Sequence, residues 1–423
     1  MDLPESNLTM APRGLLRRGQ EAGTHELSRV RLGEAWALEA LVAEQTDRTE
    51  VVAHTDLFSG ERGRFESVPL NQVAPGRYRL INEPRRAGVY HYQLRMSRDG
   101  GSSWLCERLP YGRVHVEPAA VHDLRMYSLI PRISGSFTDW TGHLARIRDL
   151  GFNAVHLLPV TKPGGSKSPY AANHLFEIDP AYADPNDSRP PLIQFEGFVH
   201  EARRLGLRLC LDLVVNHVAV DGRIARHRPD WIVPDDEEID GFKRAGFWMG
   251  RQWIKWGDLA LLDHRHPNPA VREELHNHIL HYVRYWARYA AETEGMVRLD
   301  NTHSTDEGFL RRLLNELHET YPRLGVLAEL FADPQTAERL VWDQGVHLLL
   351  GTLWEMPYAA QTRQYLHQLH KAHPKLRYYL PITSPDSGSP AEEYGSDEAT
   401  GPRYAVAALM GTGCTGSVQG VEW

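Results

Sequence analysis

The 423-residue sequence predicts an α/β fold: a (β/α)8 barrel of the TIM type, preceded by an N-terminal β-sandwich. Three observations predict it. Short alternating apolar runs, broken by Gly, Pro, Asp and Ser, fill residues 25–117. From about residue 122, strand-like apolar runs alternate with helical segments. Four of those runs end in an acidic residue, on the side of a barrel where function gathers.

The elements follow in order. Residues 1–24 are polar and read as a flexible leader. Within 25–117 the runs Trp36–Val42, Arg77–Ile81 and Val89–Met96 are separated by DLFSGERG, VAPGRY and RDGGSS. That spacing suits an antiparallel β-sandwich. The remainder, 118–423, is assigned to the barrel. Its strands are expected at 125–131, 154–160, 208–215, 296–301, 326–331, 347–353, 378–383 and 415–422. Helices are expected between them at 140–150, 194–205, 270–292, 307–321, 334–342, 357–372 and 403–410. The helix at 270–292 carries Val271, Leu275, Ile279, Tyr282 and Trp286 at helical spacing. A doubly wound sheet is the competing fold, but no GxGxxG follows the first strand. An eighth helix is missing after the eighth strand. A barrel strand needs cover on its outer face, so a further C-terminal segment, the sandwich domain or a partner subunit is expected to supply it.

Composition narrows the function classes. A net charge of −8 argues against a nucleic-acid partner. No apolar run is long enough to cross a bilayer, and the N-terminus lacks the apolar core of a secretory signal, so the chain reads as cytoplasmic. Cys106, Cys210 and Cys414 are far apart and give no metal spacing; no metal or cofactor is expected. Cys210 reads as a small buried hydrophobe.

The chemistry gathers at strand ends. The third strand ends in LDLVVNHV, with Asp212, Asn216 and His217; the fourth in VRLDNTHS, with Arg298, Asp300, Asn301 and His303. The fifth ends in LAELF with Glu329, and the seventh in ITSPDS with Asp386. Two facing carboxyls suit cleavage of a glycosidic bond: one attacks the anomeric carbon and the other protonates the leaving oxygen. A retaining enzyme needs them ~5–5.5 Å apart, and neighbouring strands lie about 4.7–4.9 Å apart. Asp300 and Glu329, on strands four and five, fit that spacing as nucleophile and acid/base. Arg298 falls on the side of Asp300 and is expected to keep it ionised. Glu329, among Leu327, Ala328, Leu330 and Phe331, is expected to hold a proton through partial desolvation. Asp212 is expected to orient Arg298 and His217.

These segments resemble glycoside hydrolase family 13, the α-amylase family, over about residues 122–423. DLVVNH (212–217) is similar to the family's first signature and GMVRLDNTH (295–303) to the second, which carries the nucleophile. The AEL around Glu329 is similar to the third, with the acid/base, and SPD (384–386) to the fourth, with a transition-state-stabilising Asp. The resemblance implies Asp300, Glu329 and Asp386 as the catalytic carboxylates. SPYAANHLFEIDP (168–180) looks like the segment whose Tyr, here Tyr170, stacks under the cleaved sugar. Asp212, Asn216, His217, Arg298 and His303 are expected to complete the substrate site. Within the family, IKWGDLALLD (254–263) looks like the glucanotransferase region of glycogen debranching enzymes. The Pro385–Asp386 pair looks like maltosyltransferases that extend glucan from maltose 1-phosphate. The fourth signature carries Pro385 where the family usually has His. The implied substrate is an α-glucan or maltooligosaccharide, and the sandwich becomes either a packing or a glucan-binding domain. Hydrolysis of α-1,4 links and an inactive glucan-binding protein are the alternatives. Trp231, Trp248, Trp253 and Trp256 are open to either packing or sugar stacking, with stacking favoured in an exposed loop at 241–257. The acidic run DDEEID (235–240) reads as a solvated loop.

Overall fold

The computed structural model describes residues 27–58, 63–106, 111–249, 252–373 and 375–421, with two short backbone strands at Thr9–Met10 and Gly14–Leu16. Most of the expected leader lies outside the described residues. The chain divides into two compact units.

The first unit holds the described residues up to Ala119, with His318–Arg323 and Arg339–Gly345. It is a sandwich of two sheets. In one, Trp36–Val42 pairs antiparallel with Arg77–Asn82, and Asn71–Ala74 extends the edge. In the other, Gly88–Ser97 lies between Gly112–Glu117 and Glu50–Thr55. Trp36, Leu38 and Ala40 face Val51, Leu94, Met96 and Val116 to form the core. The sheets are mixed rather than antiparallel throughout. Leu27–Arg31 runs parallel to Gly112–Glu117, and both short N-terminal strands run parallel to Trp36–Val42. Alternation with period two assigns each residue a face but carries no information about strand direction.

The second unit contains a closed barrel of eight parallel strands. They are Leu124–Leu129, Ala154–Leu157, Arg208–Leu213, Met296–Leu299, Gly325–Ala328, Leu348–Leu350, Tyr378–Pro381 and Cys414–Val418. The seven expected helices are all present, at Phe137–Asp149, Pro191–Arg204, Pro269–Glu292, Glu307–Thr320, Pro334–Trp342, Ala359–Ala372 and Thr400–Met410. The first begins at a capping box, in which Ser136 N–H donates to Asp139 Oδ2 at 2.7 Å. Met126, Ala154, Cys210, Met296, Leu327, Leu348, Tyr379 and Cys414, one from each strand, close the floor of the barrel. Cys210 and Cys414 are buried there, while Cys106 is exposed.

The seam between the eighth and first strands is better covered than expected. Every residue of Cys414–Val418 is buried. The strand is built of small residues, and Tyr127, on the face opposite Met126, stacks edge-on against Phe152 at 5.3 Å. Phe152 meets Tyr404 in turn at 6.4 Å. Leu150, Leu409 and Met410 remain exposed beside this seam's helices.

The strands stop earlier than the sequence predicts. The fourth ends at Leu299 and the fifth at Ala328, so Asp300 and Glu329 are each the first residue beyond a strand. Segment 241–257 is a hairpin rather than a loop: Arg244–Met249 pairs with Gln252–Leu261, which pairs with His217–Ala219. The acidic run is exposed in the main but anchored, Asp240 by Arg244 at 2.9 Å and Glu238 by Lys255 at 2.5 Å.

Candidate active site

Period two in a strand places residues two apart on one face. Asp212 and Arg298 are register partners on adjacent strands, and Asp300 follows Arg298 by two. This brings opposite charges together at the mouth of the barrel. Arg298 Nη1 donates to Asp212 Oδ2 at 2.5 Å and to Asp300 Oδ1 at 2.9 Å. Its Nη2 lies 2.9 Å from Glu329 Oε1. One guanidinium therefore holds three carboxyls. The other Glu329 oxygen accepts the Asn301 backbone N–H at 2.8 Å.

A cavity of about 240 Å³ opens against this cluster. Tyr170, Arg298, Glu329, Phe331, Trp354 and Asp386 line its upper part, and Met126, Leu327 and Tyr379 its floor. Asp300 is 7% exposed and is not among the lining residues. Asp386 is exposed overall, although its carboxyl is desolvated enough to be pushed up from the usual range, with Arg298 opposing the shift and Glu329 adding to it.

The electrostatics differ from expectation at Asp300. Burial and the neighbouring Glu329 push its carboxyl well above the usual aspartate range, in spite of Arg298. Three carboxyls share the one guanidinium charge, so Arg298 cannot offset both burial and a like charge. Asp300 also hydrogen-bonds to Glu329, which favours its protonated form. The surroundings of Glu329 are more polar than LAELF suggests, since one oxygen pairs with Arg298 and the other accepts the Asn301 N–H. Burial works against the charge on Asp212, but Arg298 and His156 hold it below the usual range.

Tyr170 joins the cluster, its O–H donating to Asp212 Oδ2 at 3.2 Å and its ring lying 5.7 Å from the Arg298 guanidinium carbon. His217 is 2% exposed, and burial lowers its ring to about 4, so it is neutral at pH 7. Its Nε2 lies 3.9 Å from Asp300 Oδ2, too far for a hydrogen bond, and neither ring nitrogen has a partner of normal geometry. A neutral imidazole offers one donor and one acceptor, which suits a sugar hydroxyl. His303 is half-buried and packs on Phe331 at 5.6 Å between ring centres; burial lowers its ring, with Glu329 opposing. Asn216 is buried with both polar side-chain atoms unpartnered. It does not line the cavity, and no cluster of metal-binding side chains occurs among the described residues.

The structure adds two residues that the strand-end reading missed. Ser128 and His156, on the first and second strands, line the cavity and link to Asp212. The available signal was a histidine inside the apolar run AVHLL, at an inward position. Of the tryptophans, Trp231 is buried under Arg228 at 4.0 Å and is a packing residue. Trp256 lies 6.4 Å from the His217 ring and 5.7 Å from Phe247. The Trp248 side chain lies outside the described residues.

A family profile described as the glucanotransferase domain of glycogen debranching enzyme matches residues 117–236. The chain is 24% identical over 330 residues to an α-1,4-glucan:maltose-1-phosphate maltosyltransferase of Arcanobacterium haemolyticum, covering 70% of this chain and 45% of that protein. It is 23% identical over 205 residues to a malto-oligosyltrehalose trehalohydrolase of Saccharolobus solfataricus, covering 48% and 31%. The chain thus spans less than half the length of these curated relatives. Among solved structures, a Nostoc punctiforme debranching enzyme superposes with a TM-score of 0.56 at 15% identity, over 72% of this chain and 73% of that one. An α-amylase of Lactobacillus plantarum gives 0.54 at 21% identity, over 72% of each. The fold is that of an α-amylase-type (β/α)8 barrel, with a β-sandwich N-terminal to it in the chain. The chain is similar to the glucanotransferase domain of glycogen debranching enzyme over residues 117–236 and, at 24% identity, to a maltosyltransferase, and it shares its fold with α-amylase-type barrels.

Proposed function

We propose that the protein is a retaining α-glucan-active enzyme, a 4-α-glucanotransferase of the debranching type, acting on glycogen or maltooligosaccharides. One observation carries this reading: Arg298 bridges Asp300 and Glu329, with donor distances of 2.9 Å to each, beside a cavity that Asp386 also lines. In this reading Asp300 attacks the anomeric carbon while Glu329 protonates the departing oxygen. A covalent glycosyl-enzyme forms, and the leaving glucan carries away the proton. An acceptor hydroxyl then loses its proton to Glu329 and displaces Asp300, with net retention. Asp386 contacts the sugar hydroxyls and stabilises the oxocarbenium-like state.

Protonation must be redistributed before attack. Burial and Glu329 push the Asp300 carboxyl up, whereas the nucleophile must be ionised. In this reading a sugar ring entering over Tyr170 comes between Asp300 and Glu329, with Glu329 placed to protonate the leaving oxygen. His217 and His303 do not line the cavity and stand behind its wall, while the Tyr170 ring supplies an apolar face.

Transfer is favoured over hydrolysis because the matching family profile is that of a glucanotransferase domain. Maltosyl transfer is the second reading, favoured by the maltosyltransferase relative. The sandwich serves as a packing or glucan-binding domain. No helix among the described residues is long and apolar enough to cross a membrane, and we place the protein in the cytoplasm. Incubation with maltoheptaose, followed by chromatography, tests the proposal. Longer and shorter oligomers together mean transfer, shorter ones alone mean hydrolysis, and unchanged substrate with retained binding means an inactive glucan-binding protein. Added maltose 1-phosphate tests the maltosyl reading.

A further inference from the structure

We propose that His156 is a positioning residue for the carboxyl cluster, acting through Asp212; this rests on reading Asp300 and Glu329 as the reacting pair. His156 sits on the second barrel strand and is 5% exposed. Its Nδ1 lies 3.1 Å from Ser128 Oγ, and its Nε2 lies 3.3 Å from Asp212 Oδ2. The Ser128 hydroxyl donates to Nδ1, which leaves the Nε2–H to donate to Asp212.

Asp212 is held from one side. Its Oδ2 receives His156, Tyr170 at 3.2 Å and Arg298 at 2.5 Å, while its Oδ1 is buried without a partner. The carboxylate's rotation is therefore set by those three donors. Asp212 in turn sets the tilt of Arg298. A guanidinium is a rigid planar fork, so moving Nη1, which holds both Asp212 and Asp300, also displaces Nη2 beside Glu329. His156 thus reaches the reacting pair through two hydrogen-bonded links. The imidazole suits this place because it spans two partners with no rotatable bond between its nitrogens.

His156 also lines the cavity, so direct sugar contact is the competing role. His156→Gln keeps an N–H donor near the Nε2 position, His156→Phe keeps ring volume without nitrogen, and Ser128→Ala frees the Nδ1 side. Turnover of maltoheptaose by the full chain is expected to fall about tenfold to a hundredfold in kcat for H156F with KM little changed, since small misplacement at a reacting centre is costly. H156Q recovers most of that loss, and S128A loses a few-fold. A raised KM with kcat intact, or H156Q as poor as H156F, overturns the proposal. A second readout needs no turnover. In 15N-labelled histidine spectra, the resonance that disappears in H156Q is that of His156. That resonance shifts in Asp212→Asn if the link exists, and an unmoved resonance refutes it. Wild-type protein inert toward maltoheptaose sinks the glucan reading and leaves the spectra to decide the His156–Asp212 link.

Discussion

The Asn301 backbone N–H donates to Glu329 Oε2 at 2.8 Å, and Asn301 does so from left-handed backbone, with φ 46° and ψ 45°. The chain turns sharply where the fourth strand ends, and that turn aims the amide across to the neighbouring strand end. Thr302 N–H reinforces it by donating to the Glu329 carbonyl at 2.9 Å. Left-handed backbone is open to Gly and tolerable to Asn, but costs a branched residue about 1–2 kcal/mol. Asn301→Gly is expected to fold and to keep its turnover. Asn301→Val is expected to be less stable than Asn301→Gly by about 1–2 kcal/mol in urea unfolding, and to lose kcat as the amide moves off Glu329. Equal kcat in the two variants would remove the amide from the account.

The raised carboxyl of Asp300 gives a pH signature. Its folded-state pKa lies above the unfolded value, through burial and the nearby Glu329 against the pull of Arg298. Such a group favours folding below its unfolded pKa, and that contribution is lost as pH rises through the folded pKa. Asp300→Asn removes the titration. The variant should therefore gain melting temperature relative to wild type as pH rises from 4 to 7, while its turnover collapses. If Asp300 is the nucleophile, the kcat/KM of the wild type should rise with pH through an apparent pKa above the ordinary aspartate range, because Asp300 would have to ionise to attack. A constant melting difference between the two proteins over that span would contradict the assignment.

The barrel was legible because its signals are local. Strand–helix alternation and acids at strand ends do not depend on distant partners, and seven helices appear where the spacing predicts them. The trio Asp300, Glu329 and Arg298 was legible because period two along one strand and adjacency of two strands fix their side. What failed needed long-range information. Parallel pairing of Leu27–Arg31 with Gly112–Glu117 joins the two ends of the sandwich and leaves no trace in alternation. The upward push on the Asp300 carboxyl depends on three carboxyls meeting one guanidinium, and no single segment shows that count. His156 was hidden because a histidine in an apolar run reads as core until Asp212 is seen 3.3 Å away.

Gly416 gives a test of the barrel floor. A Cβ there would lie 2.1 Å from the Tyr379 hydroxyl oxygen and 2.3 Å from the Met126 carbonyl oxygen. Tyr379 fills the centre of the floor, and the eighth strand passes close only because it lacks a side chain at that point. Backbone cannot retreat as a flexible side chain can. Gly416→Ala is expected to cost about 1–3 kcal/mol, read from denaturant unfolding. Tyr379→Phe in the same background relieves only the hydroxyl contact, so the double variant should remain less stable than Tyr379→Phe alone. Full recovery of stability in the double variant would show that the carbonyl contact carries no cost.

Tyr170 separates two contributions within one side chain. Its hydroxyl donates to Asp212 Oδ2 at 3.2 Å, and its ring forms a wall of the cavity. Tyr170→Phe removes the hydrogen bond and keeps the wall. Asp212 retains Arg298 and His156, so the loss should be about 0.5–1.5 kcal/mol, or a few-fold to roughly tenfold in kcat/KM. Tyr170→Ala removes the wall as well. If a sugar ring stacks there, the extra loss falls on binding as well as on the chemical step, because the apolar face is used in both states. Tyr170→Ala should therefore raise KM for maltoheptaose well beyond Tyr170→Phe while lowering kcat further. Steady-state kinetics of both variants decide the matter: identical KM values would mean that no sugar rests on the Tyr170 ring, and the donor site would have to be sought elsewhere along the cavity.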